Sequence, residues 1–134
     1  MNFRLYSHKH QLYTNSPFWP SNQRTWSEWA LSPNGDVLEL VHAGACGYSV
    51  EKHDKRNFSI EPWTGFFDAN GKKIYRGDIL KMDSMFKFES EVTWQNGAFW
   101  LKALDAEGTD QQFDGIFSKY WTIKDNIHNA EFSD

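Results

Sequence analysis

Asn96-Gly97 lies between two extended runs, Glu91-Val92-Thr93-Trp94 and Ala98-Phe99-Trp100-Leu101. An Asn-Gly step accepts positive φ at both central positions of a two-residue turn, whose twist matches that of paired strands. The step commits its flanks to an antiparallel hairpin, and strand, turn, strand recurs along the chain. Phe3-Arg4-Leu5-Tyr6 can pair with Gln11-Leu12-Tyr13-Thr14 across Ser7-His8-Lys9-His10. Pro33-Asn34-Gly35-Asp36 turns the chain between a run holding Trp29 and Leu31 and the run Val37–Val41. Thr25 and Glu28 also fit a capping box, but the hairpin reading is preferred here. Pro17 to Gln23 reads as a loop whose Phe18 and Trp19 pack down, Gly44–Gly47 as a connection and Lys52–Asn57 as a polar turn. Further on, Asp68-Ala69-Asn70-Gly71 and Gly77-Asp78 are turns, Ile79–Met82 is extended, and Tyr120–Ile123 is a closing strand. The expected class is mainly β, with a β-rich α+β fold as the variant.

The composition agrees with a thin, sheet-built core. Seven Trp, eleven Phe and five Tyr among 134 residues fill an interior with few side chains. A chain of this length buries roughly two-thirds of its unfolded surface without a disulfide or metal staple. Nothing marks a linker, so a single domain over 1–134 is expected. Residues 1–58 would hold the N-terminal hairpins and a variable region, and 59–134 a barrel portion. Cys46 is the one cysteine, which rules out an intramolecular disulfide and paired-thiolate zinc sites. No apolar run approaches the roughly 20 residues of a membrane helix. The start Met1-Asn2-Phe3-Arg4-Leu5-Tyr6 carries no secretory signal pattern, so cytoplasmic residence is expected. A net charge of −4 gives no general attraction to nucleic acid or an anionic membrane.

The run Trp63-Thr64-Gly65-Phe66-Phe67-Asp68-Ala69-Asn70-Gly71-Lys72-Lys73-Ile74-Tyr75-Arg76-Gly77-Asp78-Ile79-Leu80 closely resembles the signature of the YopX family of phage and prophage proteins. Phe3-Arg4 followed by Leu12-Tyr13 is similar to that family's first hairpin, and Ile123 with Asn126-Ile127 to its C-terminal segment. Residues 15–58 carry no matching motif. The resemblance implies a phage or prophage origin, a compact β-rich fold with an SH3-like barrel portion, and no catalytic residues. Read physically, Gly65, Gly71 and Gly77 recur every six residues beside turn formers, as in short strands rounding the corners of a small barrel. Asp68 and Asp78 can bond the backbone of their own turns. Thr64, Gly65, Asp68, Asn70, Gly71, Ile74, Tyr75, Gly77 and Asp78 therefore read as a motif that specifies the fold.

Chemistry-bearing constellations are sparse. His8 and His10 share a face if extended, but a metal would need a third ligand from His42, His53, His128 or a carboxylate. Cys46 with His42 or His53 lacks any signature of a thiolate nucleophile. Glu61, Asp68, Asp78, Asp83 and Glu89 fall on different turns and read as solvated. No phosphate-binding glycine pattern is present. No metal, cofactor or enzymatic activity is expected.

Binding is the better expectation. The chain reads as a noncatalytic accessory protein whose partner is a phage or host protein, or a second copy of itself. Trp19 and Trp26 are the candidate contacts, with packing onto the sheet as their other role. The alternative is a nucleic-acid-binding module using Lys52, Lys55, Arg56, Lys72, Lys73 and Arg76 beside exposed aromatics.

Overall fold

The computed structural model describes residues 2–20, 26–42, 47–82, 88–105, 108–115 and 118–132, without the side chains of Trp26, Ser27 and Tyr48. Cys46 and Asp83 lie outside the described residues. The described chain is mostly β-strand. Its strands in order are β1 (Phe3–Ser7), β2 (Leu12–Tyr13), β3 (Trp26–Leu31), β4 (Val37–His42), β5 (Tyr48–His53) and β6 (Phe58–Phe67). They continue with β7 (Lys73–Tyr75), β8 (Asp78–Met82), β9 (Phe88–Gln95), β10 (Ala98–Ala103), β11 (Gln111–Gln112) and β12 (Trp121–Asn126). Single 3-10 turns occupy Lys55–Asn57 and Ser118–Tyr120. The sheet orders are β2-β1-β6-β7, β3-β4-β5 and β11-β10-β9-β8-β12.

The first hairpin forms as expected, Tyr6 opposite Tyr13, and residues 26–42 form the hairpin β3–β4 and not a helix, Thr25 lying outside the described residues. Asn96 and Gly97 both take positive φ, 51° and 78°, the backbone that the two-residue turn between β9 and β10 requires. Two expectations about the N-terminal half need correction. Lys52 and His53 are the last residues of strand β5, since β4 extends their pairing, so the polar turn starts only at Asp54. Phe18 does not pack down: it is 73% exposed, because Ser16 closes a tight turn, its Oγ accepting from the Phe18 N–H and its carbonyl from the Trp19 N–H.

The chain divides into two compact units. One comprises the residues up to Arg4 with Glu61–Phe132, the other Leu5–Ile60. In the first, the inner face of the five-stranded sheet follows from register. Val92 opposes Leu101, Phe99 opposes Trp94, Ser90 pairs with both Ala103 and Leu80, and Ile123 opposes Leu80. Ile74, Leu80, Val92, Leu101, Phe113 and Trp121 make the core there, with Phe66 edge-on to Phe113 at 5.2 Å. Each such side chain contributes about 1.5–3 kcal/mol of burial. Gly65 marks no corner between strands. It lies inside β6 at φ 89°, where pairing with β7 jumps from Trp63↔Tyr75 to Phe67↔Lys73, so it serves a bulge that re-aims the strand.

In the second unit, the face of β3-β4-β5 that holds Trp29, Val37, Glu39, Glu51 and His53 follows from the pairings Trp29↔Glu39, Glu39↔Glu51 and Val37↔His53. A run of aromatic contacts covers it: His10 on Trp19 at 4.9 Å, Trp19 on Trp29 at 5.3 Å, and Trp29 on His53 and Phe58 at 5.3 and 5.8 Å.

Candidate functional site

Two features of the first unit concentrate chemistry. The first is a pocket of about 270 Å³ on the inner sheet face. Met82, Phe88, Ser90 and Ala103 reach it from β8, β9 and β10, and Trp121 from β12. They share the inner face by register, so strand alternation alone aims them there. Asp105, Thr109 and Gln111 supply the opposite rim, with Glu89 beside them. Phe88 is 37% exposed, whereas Trp121 is buried at 3%, giving an accessible wall over a fixed floor.

Among the described residues the lining carries carboxylates and no Lys or Arg. Lys124 pairs with Glu89 outside the lining, and the Glu89 N–H donates to Asp105 Oδ2 at 3.3 Å. The Lys124 ammonium is held above its ordinary pKa by Glu89 first, with further contributions from Asp125 and Asp105. The surroundings therefore favour cations. An apolar group accompanied by a positive charge or by N–H donors suits this pocket, and a phosphate does not.

The second feature is a buried charge cluster. The carboxylates of Glu61 and Asp78, expected on solvated turns, are each 1% exposed and converge on Arg4. Strand β1 brings Arg4, β6 brings Glu61, and the turn entering β8 brings Asp78. Arg4 Nε donates to Glu61 Oε1 at 2.7 Å, and Arg4 Nη2 lies 2.8 Å from Asp78 Oδ1. The guanidinium is sandwiched between the rings of Tyr75 and Phe132, each centroid 4.9 Å away. His128 Nε2 donates to Glu61 Oε2 at 2.8 Å, and the Tyr75 N–H donates to Asp78 Oδ2 at 2.8 Å. Burial pushes the Asp78 carboxyl up to about 6, against the opposing pull of Arg4 and the Tyr75 N–H. Removing two carboxylates from water is costly unless every lone pair is met, and here backbone, guanidinium and imidazole meet them.

The motif residues act on the backbone around this cluster. Thr64 Oγ1 donates to the Ile74 carbonyl at 2.8 Å and accepts from the Phe66 N–H. Asp68, also expected in solvent, is 5% exposed. Its Oδ1 accepts from the N–H groups of Asn70 and Lys72 at 2.9 Å each, and its Oδ2 from Ile123 at 3.1 Å. The turn that ends at Gly71 is thereby fastened to strand β12. Ile74 and Tyr75 are core, and Gly77 at φ 90° carries the chain from β7 into β8.

The remaining candidates separate. Trp19 is half-buried in the aromatic run of the second unit, and the Trp26 side chain lies outside the described residues. Lys52 pairs with Asp36 at 3.3 Å, and Arg56 clamps Asp54, whose carboxyl it holds down at about 2, while Lys55 is exposed. Lys73 Nζ lies 5.0 Å over the Trp63 ring, with Lys72 and Arg76 exposed nearby in sequence. His8 Nε2 meets Ser59 Oγ at 2.9 Å and His42 meets Glu28, so neither joins His10 in a ligand set. Sequence reasoning missed the Arg4 cluster and the pocket. The signal for the first was charged residues embedded among apolar ones, Phe3-Arg4-Leu5 and Ile60-Glu61-Pro62-Trp63.

No curated protein matches the chain. Two solved structures share the fold. Protein EF1440 from Enterococcus faecalis aligns with a TM-score of 0.56 at 20% identity, over 96% of this chain and 93% of its own. Protein yopX from Bacillus subtilis aligns with a TM-score of 0.59 at 17% identity, over 96% and 94%. A family model described as YopX protein matches residues 2–130, a span that includes the stretch 15–58 where no motif is legible. With its signature run built into the turns and buried polar contacts of the first unit, the chain belongs to the YopX family.

Proposed function

We propose that this chain is a noncatalytic protein-interaction module of phage or prophage origin, working in the host cytoplasm, that seats an apolar side chain of a partner polypeptide in the pocket beside Phe88. The observation that carries this reading is the pairing of an aromatic floor and wall with a rim that, among the described residues, is charged only by carboxylates. A partner segment with a Trp, Phe or Leu next to a Lys or Arg complements both parts. The partner is a phage protein, a host protein or a second copy of the chain. The noncatalytic part of the reading is supported by Asp78, whose carboxyl has the raised pKa a general acid needs. Both its oxygens are engaged and it is buried, out of reach of a substrate.

The test is selection of a displayed random-peptide library against the full chain. We expect enrichment of an aromatic or aliphatic residue flanked by Lys or Arg. Synthetic versions should bind at micromolar Kd and lose at least about tenfold, roughly 1.4 kcal/mol, against Thr109→Arg or Gln111→Arg. Peptides that bind those variants equally well would remove the pocket from the reading. A second reading rests on the edge of β6 and β7, where Lys73 covers Trp63 and Phe67 is 47% exposed. Single-stranded DNA binding that weakens with salt and is lost in Lys72→Glu would favour it.

A further inference from the structure

We infer that Glu39, Glu51 and His53 form a binding site for a divalent first-row transition-metal ion, of which Zn²⁺ is the fitting probe. The inference belongs to the second unit and is independent of the pocket. Strand pairing builds the set: Glu39 on β4 stands directly opposite Glu51 on β5, and His53 follows Glu51 by two residues on the same face. One ligand atom from each of the three lies within 4.8 Å of the other two, and His53 Nε2 and Glu39 Oε1 are already 2.9 Å apart. Donors around a tetrahedral ion with bonds of about 2.1 Å stand roughly 3.4 Å apart. Glu51, the exposed member, closes the set with a small swing of its side chain.

Two further observations fit a cation there. Two carboxylates directly opposed across a strand pair repel each other, and a shared divalent ion turns that cost into attraction. His53, for its part, is held by rings on two sides, Trp29 at 5.3 Å and Phe58 at 5.7 Å, which limits its rotation and presents Nε2 toward Glu39. One imidazole nitrogen with two carboxylates suits borderline ions such as Zn²⁺ and Co²⁺, whereas Mg²⁺ and Ca²⁺ prefer oxygen throughout. The exposed side at Glu51 leaves the remaining coordination positions to water.

The experiment is calorimetric titration of the full chain with Zn²⁺ in a non-chelating buffer. We expect one ion per chain at micromolar Kd or tighter, and a melting temperature that rises with Zn²⁺ but not with Mg²⁺. Losing even an outer-shell partner costs about ten- to a hundredfold in metal affinity, so Glu51→Gln and His53→Gln should each weaken binding by about a hundredfold. Circular dichroism of Glu51→Gln checks that the fold is kept, since that side chain is exposed. The double variant His8→Ala/His10→Ala should bind as the parent does. Absence of stoichiometric Zn²⁺ binding would overturn the site. So would binding that survives both Glu51→Gln and His53→Gln, or that disappears in His8→Ala/His10→Ala.

Discussion

At Gly77 two demands coincide. The backbone takes φ 90°, and a Cβ built there would lie 3.0 Å from the Glu61 carboxylate oxygen that faces His128. Gly77→Val should therefore lose about 2–3 kcal/mol, combining left-handed strain with displacement of a buried charge. Urea denaturation measures this, and an unchanged midpoint would contradict both parts of the argument. One residue on, Asp78 sets a pH dependence. Its carboxyl titrates near 3.8 when unfolded and about 6 when folded. The folded state thus holds the proton more tightly, and the associated stability is full below about pH 4 and lost as pH rises through about 6. A shift of that size corresponds to about 3 kcal/mol. The stability of the parent minus that of Asp78→Asn should fall by this order between pH 4 and 6, read from melts across the range.

Among the elements, those with local signals were legible. Asn96-Gly97 determines the β9–β10 turn through its own backbone, and Pro33-Asn34-Gly35-Asp36 similarly links β3 to β4. Strand β11, only Gln111–Gln112, was not legible, because its pairing with Trp100 and Leu101 is supplied by β10 and by no apolar pattern of its own. The burial of Asp68 was equally hidden. Its turn bonds to Asn70 and Lys72 are local, but the bond from Ile123 spans 55 residues and exists only once β12 is in place. Asp68→Ala would orphan three backbone donors, at a cost of about 3 kcal/mol or more. Asp68→Asn keeps an acceptor for the turn and should cost less, a ranking that thermal denaturation can check. Trp19 and the pocket illustrate the same division. An aromatic residue's type is visible in sequence, while whether its face is covered depends on register.

For the molecule as a whole, the Arg4 cluster is the most exacting element. Replacing Arg4 by Met leaves Glu61 and Asp78 buried without their guanidinium, and breaking such a set costs about 3–5 kcal/mol, a large share of a domain's usual 5–15. Arg4→Met/Asp78→Leu should be more stable than Arg4→Met alone, since the second change removes an orphaned charge, and the double-mutant cycle measures their coupling. Time enters through the same cluster. Arg4 and Glu61 are 57 residues apart, Glu61 and His128 a further 67, so synthesis delivers the last hydrogen-bond partner long after the first. Until His128 and Phe132 are available, a nascent chain closing β1 onto β6 would lack the imidazole that donates to Glu61 and the Phe132 ring that stacks on Arg4. Local hairpins can form early, but the first unit is expected to mature only after release of those residues, placing its folding barrier late and making chains stopped before them targets for proteolysis.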